Sequence, residues 1–200
     1  MKLDDIIIID NIVPQILQDE LESFHISPLF PWHYVKDTVS NVDYKFKKTD
    51  NTFETSFFNH LHFKDNQVNS NKCAEVKNIL YFFQEKTKIN IRKIIRIQSN
   101  LTRNFTGYKE SNHSAIHGDW EQKVLPDSPT MFCSLLYYVN DSDGDTKFFD
   151  NDYNQIQSVT PKKGRAVFFN SNLLHAGSNP IKNDVRIVVN FILEVENWYI

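Results

Sequence analysis

His117-Gly118-Asp119, at the centre of HSAIHGDWE, combines with His175 in NLLHAG and Arg186 in NDVRIVVN. Together they supply two imidazoles, one carboxylate and one guanidinium. In an extended segment His117 and Asp119 project to the same side, because side chains on a strand alternate with period two. One strand end can therefore present both to a single ion. The third ligand must come from elsewhere, and His175 is placed for it: it follows GRAVFFNSN, which reads as a buried strand and turn, and it precedes a further turn at Gly177. Two histidines and one carboxylate occupy one face of an octahedral ion and leave three positions open, the donor set of a mononuclear non-haem iron site.

Arg186 is flanked by Val185, Ile187, Val188 and Val189, the pattern of a central strand. A charge there is costly unless paired. A bound dicarboxylate would pair it through two parallel hydrogen bonds, and so would a structural salt bridge with an aspartate or glutamate. Tyr138 could bring a hydroxyl to the same anion if Ser134, Leu136 and Tyr138 share one face of their strand; a bulge would reverse that phase. Each element has a blander reading. His117 could be a hydrogen-bonded core histidine, and His175 a surface loop residue. His113 lies four residues before His117, the spacing of a helical zinc pair, but polar SNHSAIHGD lacks an amphipathic pattern. His60 and His62 share a face if extended, yet no carboxylate follows at short range, so packing is the simpler reading; His33 is a weaker ligand candidate still.

The elements that must position these groups follow from periodicity and turn residues. Ile6 to Ile9 read as a first strand. Pro14 suits the first turn of a helix whose Ile16, Leu17, Leu21 and Phe24 fall on one face. PLFPWHY (28–34) reads as an aromatic loop packed on the core, with Trp32 a candidate interface residue. Asn71 is placed to cap a helix running to about Lys86, with Val76, Ile79, Leu80 and Phe83 inward. From Ile89 strands dominate: INIRKIIRIQSNL places Ile95, Ile97 and Ser99 on one face and Arg96, Gln98 and Asn100 on the other. MFCSLLYYVN, TKFFD, IQSVTP, GRAVFFN and VRIVVNFILEVENW follow, divided by Asn, Asp, Gly and Pro turns. The expectation is an antiparallel β-sandwich or barrel with helices over one sheet.

The 200 residues fit a single domain, and Phe 16, Tyr 8 and Trp 3 suffice for a sizeable core. With Gly at only 5, Asn takes over many turns. A net charge of -3 gives no global pull toward nucleic acid or anionic membrane. The run RKIIR (92–96), with Lys86 and Lys88 before it, is the nearest approach to a basic patch and reads as a strand edge or solvated face. Cys73 and Cys133 form no metal-spacing motif; Cys133 reads as a small core residue and Cys73 falls in the expected helix, so free thiols are the reading rather than a disulfide. MKLDDIIIIDN is too short and too acidic for a signal peptide, and no run reaches membrane-spanning length, so a cytoplasmic protein is the expectation.

The combination HGD (117–119), LLYYVN (135–140), DGDTKFF (143–149), GRAVFFNSNLLHAG (164–177) and Arg186 resembles the iron(II)- and 2-oxoglutarate-dependent oxygenases, within the prolyl-4-hydroxylase-like group that includes phage-encoded members. The resemblance covers roughly residues 90–195. It implies a double-stranded β-helix (jelly roll) core over 90–198, with an N-terminal strand, helices and loops over 1–90. It implies iron(II) held by His117, Asp119 and His175, and 2-oxoglutarate anchored by Arg186 with help from Tyr138 and, on a looser match, Asn100. O2 is the implied second co-substrate and ascorbate a candidate reductant. The implied reaction hydroxylates an unactivated C–H bond of a peptide, protein or small molecule, with a prolyl residue the first candidate, and releases succinate and CO2. Asp145 departs from the pattern, standing where many relatives have glycine. Trp120, Glu121 and Lys123 are candidates to flank the substrate entrance. Two other classes fit parts of the pattern: a different metalloenzyme on the same barrel, which would not need Arg186, and a non-catalytic binding module.

Overall fold

The computed structural model describes residues 6–36, 46–120 and 130–196. Its elements are β1 (Ile7–Ile9), α1 (Gln15–Ile26), β2 (His33–Val35), β3 (Phe46–Lys47), β4 (Phe57–Lys64), β5 (Gln67–Val68), α2 (Cys73–Thr87), β6 (Ile91–Arg103), β7 (Ile116–His117), β8 (Thr130–Tyr138), β9 (Thr146–Phe149), β10 (Gln155–Val159), β11 (Ala166–Asn170), β12 (Leu174–Gly177) and β13 (Val185–Glu196). They form two antiparallel sheets. The larger runs β1-β11-β8-β13-β6-β4-β2, with β5 added to β4; the smaller runs β10-β9-β12-β7-β3. The segment before residue 90 thus contributes strands to both sheets. No helix among the described residues is long and apolar enough to cross a membrane.

Alternation along β13 builds the layers. Ile187, Val189, Phe191, Leu193 and Val195 point to one side, where they pack with Leu21 of α1 and with Val76, Ile79, Leu80 and Phe83 of α2. Val188 points to the other side and joins Leu136, Tyr138, Val167 and Phe169 of the larger sheet, and Phe148 and Val159 of the smaller, between the two sheets. The side of β13 covered by the helices is apolar throughout, while its other side carries Arg186 and Asn190 as well as Val188. Fully burying each of these large side chains contributes about 1.5–3 kcal/mol. Cys73 and Cys133 are free thiols, and Cys133 is a core residue as expected; Cys73 is buried too.

Four local expectations need correction. Ile16 is 71% exposed; the inward face of α1 is Leu17, Leu21 and Phe24 with buried Gln18 and His25. Asn71 does not cap α2: Lys72 holds that position without a side-chain bond, and the Ser70 hydroxyl instead accepts the Lys72 N–H. The aromatic loop ends in β2, and Trp32 packs against the core and donates its indole N–H to the His25 carbonyl rather than facing outward. The fourth is a strand, β12, where only a turn residue beside His175 was expected. The use of Asn for Gly in turns is borne out at Asp65-Asn66, both with positive φ, joining β4 to β5.

Behind β6 lies a buried histidine cluster with one consistent protonation. His25 Nδ1 sits 2.7 Å from the Leu21 carbonyl, which can only accept. His25 Nε2 is then bare and accepts the Ser99 hydroxyl at 2.8 Å, while His62 Nε2 donates to the same oxygen at 2.8 Å. His60 caps the Pro31 carbonyl. Both His60 and His62 are therefore packing residues, as the sequence reading favoured.

Burial pushes His25 down to about 4 and His62 to about 3 from an ordinary 6.5, with neighbouring His60 adding to both shifts. The unfolded chain takes up protons on these rings below about pH 6.5 while the folded chain does not. Stability must therefore fall as pH drops from 6.5 toward 4, by about 1.4 kcal/mol per pH unit per histidine. Urea unfolding midpoints measured across that window should fall steadily. A midpoint flat down to pH 4 would show that the two rings are not held neutral.

Candidate metal centre and its cavity

Pairing registers set the site in rows across the larger sheet. Thr102 of β6 opposes Arg186 of β13. Next come Asn100, Val188 and Tyr138, then Gln98, Asn190 and Leu136, then Arg96, Ile192 and Ser134, reading across β6, β13 and β8. Directly paired residues of antiparallel strands share a face, so these side chains line one trench. The phase expected for Ser134, Leu136 and Tyr138 holds. Tyr137 packs on the helix side. The smaller sheet closes the trench by pairing His175 of β12 with His117 of β7. Arg96, Gln98, Asn100, His117, Asp119, His175, Arg186 and Asn190 border one cavity of about 250 Å³.

His117, Asp119 and His175 each present a ligand atom within 4.8 Å of the others. Both imidazoles have the tautomer a metal requires. His117 Nδ1 donates to the Ala115 carbonyl and His175 Nδ1 to the Leu173 carbonyl, each at 2.9 Å, leaving both Nε2 lone pairs free. Burial pushes His175 down to about 4 against the pull of Asp119, so it is neutral near pH 7. Asp119 is buried, which raises its pKa, yet His175, Arg96, His117 and the Ser134 hydrogen bond together hold it below the usual carboxylate value. With His175 neutral, the standing cation beside Asp119 is Arg96.

The carboxylate is held from several elements. Ser134 Oγ donates to Oδ2 at 2.7 Å, Asn190 Nδ2 donates to Oδ1 at 3.1 Å, and Arg96 Nη2 lies 3.5 Å from Oδ1. Its backbone N–H donates to the Ser171 carbonyl at 2.8 Å. A divalent ion suits this set: two neutral nitrogen donors and one ionised carboxylate whose second shell is already satisfied.

Arg186 is buried, and no carboxylate meets it among the described residues. Its Nε donates to the Gly144 carbonyl at 2.7 Å and Nη2 donates to Thr146 Oγ1 at 2.8 Å. The Tyr138 hydroxyl donates to the same Thr146 oxygen at 2.7 Å. The salt-bridge reading of Arg186 thus finds no support among the described residues, and a buried guanidinium without an anion fits a dicarboxylate co-substrate. Tyr138 reaches this corner through Thr146. Asn100 borders the cavity, with its Oδ1 accepting from Gln98 Nε2 at 2.7 Å. His113 bonds the Ser114 carbonyl, away from any helix, and does not pair with His117 as a zinc site would need.

Several participants escaped the sequence reading. Ser134 was noticed only for its strand phase; Asn190, Thr146 and Gln98 carried no motif signal, although the period-two pattern of β6 did place Gln98 beside Asn100. Arg96 was read with RKIIR as part of a solvated face. Arg92 and Lys93 are exposed, but Arg96 turns into the cavity. Asp145, the departure from the glycine pattern, accepts the Ser158 hydroxyl. Glu121 and Lys123 lie outside the described residues.

Fold and donor set define the class: a two-sheet β-sandwich carrying a two-histidine, one-carboxylate cluster beside a buried anion site. The family model of the 2OG-Fe(II) oxygenase superfamily matches residues 103–194. The chain is similar to that superfamily over this segment, 92 of its 200 residues. Among solved structures, an oxidoreductase of the 2OG-Fe(II) oxygenase family from Burkholderia pseudomallei is similar at 13% identity and TM-score 0.62, covering 96% of this chain and 85% of that one. The viral collagen prolyl hydroxylase of Paramecium bursaria Chlorella virus-1, solved with 2OG, is 16% identical with TM-score 0.54, covering 97% and 99%. A Pseudomonas putida prolyl-4-hydroxylase is 12% identical with TM-score 0.55, covering 96% and 93%. No curated protein matches by sequence. The mainly β architecture with flanking helices is the expected double-stranded β-helix.

Two substitutions test this geometry. A Cβ at Gly144 would stand 2.6 Å from the Ser178 carbonyl oxygen and 3.0 Å from Arg186 Cδ. Gly144→Ala should therefore cost about 1–3 kcal/mol through overpacking, read as a lowered Tm, and should displace Arg186. Ser134→Ala removes a hydrogen bond to Asp119 without touching a ligand atom; iron(II) affinity should drop about 10- to 100-fold by equilibrium dialysis.

Proposed function

We propose that the protein is an iron(II)- and 2-oxoglutarate-dependent dioxygenase that hydroxylates an unactivated C–H bond. The observation that carries the reading is the pairing, in one cavity, of the His117–Asp119–His175 cluster with a buried Arg186 that no carboxylate neutralises among the described residues. His117, Asp119 and His175 would hold the iron. Arg186 would bind the distal carboxylate of 2-oxoglutarate, oriented by the Gly144 carbonyl and by Thr146, whose hydroxyl is in turn fixed by Tyr138. Bound iron and 2-oxoglutarate supply the oxidising chemistry: one atom of O2 enters the C–H bond as hydroxyl, and the co-substrate leaves as succinate and CO2.

The chain's own residues position and shield. Each histidine is locked in the ligating tautomer by a backbone carbonyl. Ser134 and Asn190 hold Asp119 ionised and oriented. Leu136 and Val188 form an apolar stretch of the cavity wall that excludes water from the reacting centre. No side-chain base is required. Similarity to prolyl hydroxylases, one of them solved with a hypoxia inducible factor peptide fragment, supports a prolyl residue of a peptide or protein as the first substrate to test; a free amino acid would use the same centre.

The deciding experiment is an anaerobic titration of the metal-free protein with iron(II) and then 2-oxoglutarate, followed by visible absorption. A weak charge-transfer band should appear with the keto acid. His117→Ala or His175→Ala should abolish iron-dependent 2-oxoglutarate turnover. Arg186→Ala should still bind iron but need about 10- to 100-fold more 2-oxoglutarate, the equivalent of one charged hydrogen-bonded pair. Full turnover by the His117→Ala protein would overturn the assignment.

A further inference from the structure

We infer that Arg96 is a second anion anchor in the cavity and that it binds a carboxylate of the substrate, so that this enzyme acts on an acid. The inference rests on the oxygenase reading above and deepens it.

The position of Arg96 is the first observation. It stands in the fourth row of the trench and Arg186 in the first, six residues apart along β6 by register. At about 3.3 Å per residue the two rows are roughly 20 Å apart at the backbone. Asp119 is held at the Arg96 end, by Ser134 and Asn190. The candidate metal centre thus lies nearer to Arg96, and the 2-oxoglutarate anchor farther. A molecule entering beside the metal meets Arg96, not Arg186.

The second observation is that Arg96 is incompletely satisfied. Its side chain is only 26% exposed. Its Nε is buried and has no hydrogen-bond partner among the described residues. Its nearest carboxylate contact, 3.5 Å from Nη2 to Asp119 Oδ1, is too long for a good hydrogen bond. Asp119 is also heavily engaged by Ser134 and Asn190, and its remaining capacity is what a metal would use. A half-buried guanidinium with a free, buried N–H is an open donor site.

Charge balance gives the third. Among the described residues the cavity wall carries two guanidinium groups and one carboxylate. One carboxylate of a doubly charged co-substrate pairs with Arg186, and the other, together with Asp119, balances a divalent ion. One positive charge is left over, and it sits at Arg96. A monoanionic group on the substrate removes that excess, and a carboxylate matches the planar donor fork in geometry as well as charge. The two amides between the rows, Gln98 and Asn100, supply neutral polar contacts along the way.

The test measures binding without turnover. Protein loaded anaerobically with iron(II) and saturating 2-oxoglutarate is titrated with the protein amino acids as free acids and as primary amides, and with capped tripeptides carrying Glu or Gln beside proline. The readouts are the shift of the visible band and the ligand-induced change in Tm. At least one acid should bind about tenfold or more tightly than its neutral partner, the scale of one charge-assisted hydrogen bond. A free acid that outbinds its amide identifies a small-molecule substrate; a Glu peptide that outbinds its Gln counterpart identifies an acidic peptide. Arg96→Gln, loaded at iron(II) and 2-oxoglutarate concentrations that saturate the variant, should erase the preference. The inference is overturned if no acid outbinds its neutral partner, or if the preference survives Arg96→Gln. It is also overturned if that variant weakens iron(II) binding and all ligands alike, since Arg96 would then only position Asp119. Absence of the band before any substrate is added would instead remove the oxygenase reading itself.

Discussion

Asp119 is a buried carboxylate, and the arrangement around it organises the rest of the site. Burial alone would favour its neutral form. Ser134 from β8, Asn190 from β13 and Arg96 from β6 converge on its two oxygens, and the Ser171 carbonyl takes its backbone N–H. Three neighbouring strands of one sheet must be in register for this to happen. The same registers set the distance to Arg186 and bring Tyr138 to Thr146. The smaller sheet adds the remaining constraint through the direct pairing of His117 with His175.

The layers explain why such a polar trench is tolerated. β13 carries an unbroken apolar face against the helices, which stabilises the sheet from behind and leaves its other face free to include Arg186 and Asn190. Ser99 of β6 shows the same division: it points away from the cavity and completes a histidine cluster, while its neighbours Gln98 and Asn100 border the cavity. Alternation thus separates a structural polar network from a functional one on the same strand. In the structural network the Ser99 hydroxyl and four of six ring nitrogens are engaged, while His60 Nε2 and His62 Nδ1 are buried without a partner among the described residues. Among the described residues the cavity network leaves Arg186 without a carboxylate and the Arg96 Nε without a partner.

Much of this was legible in the sequence because it depends on local rules. The HxD spacing with an extended backbone, the alternation along IRKIIRIQSNL and LLYYVN, and the apolar neighbours of Arg186 each required only strand periodicity. The turn before Thr146 followed from residue type. Misreadings arose where a local rule met a tertiary contact. Ile16 has helical spacing but lies beyond the edge of the packed face. Asn71 has a capping side chain, yet Ser70 takes the bond. His175 lies in a short strand, β12, whose four residues carry too little pattern to be recognised without its partners β7 and β9.

Arg96 marks the boundary most clearly. Its neighbours Arg92 and Lys93 are solvated, and composition assigns all three to one basic face. Only pairing with β13 places Arg96 beside Ile192 and Ser134, inside the trench and next to Asp119. The sequence by itself determined the candidate ligand types, their spacing and the strand-rich class, since these rest on residue identity and short-range periodicity. Tertiary structure alone decided which groups complete the cavity, that Arg186 lacks a carboxylate among the described residues and that Arg96 faces inward, because those facts depend on registers between strands far apart in the chain.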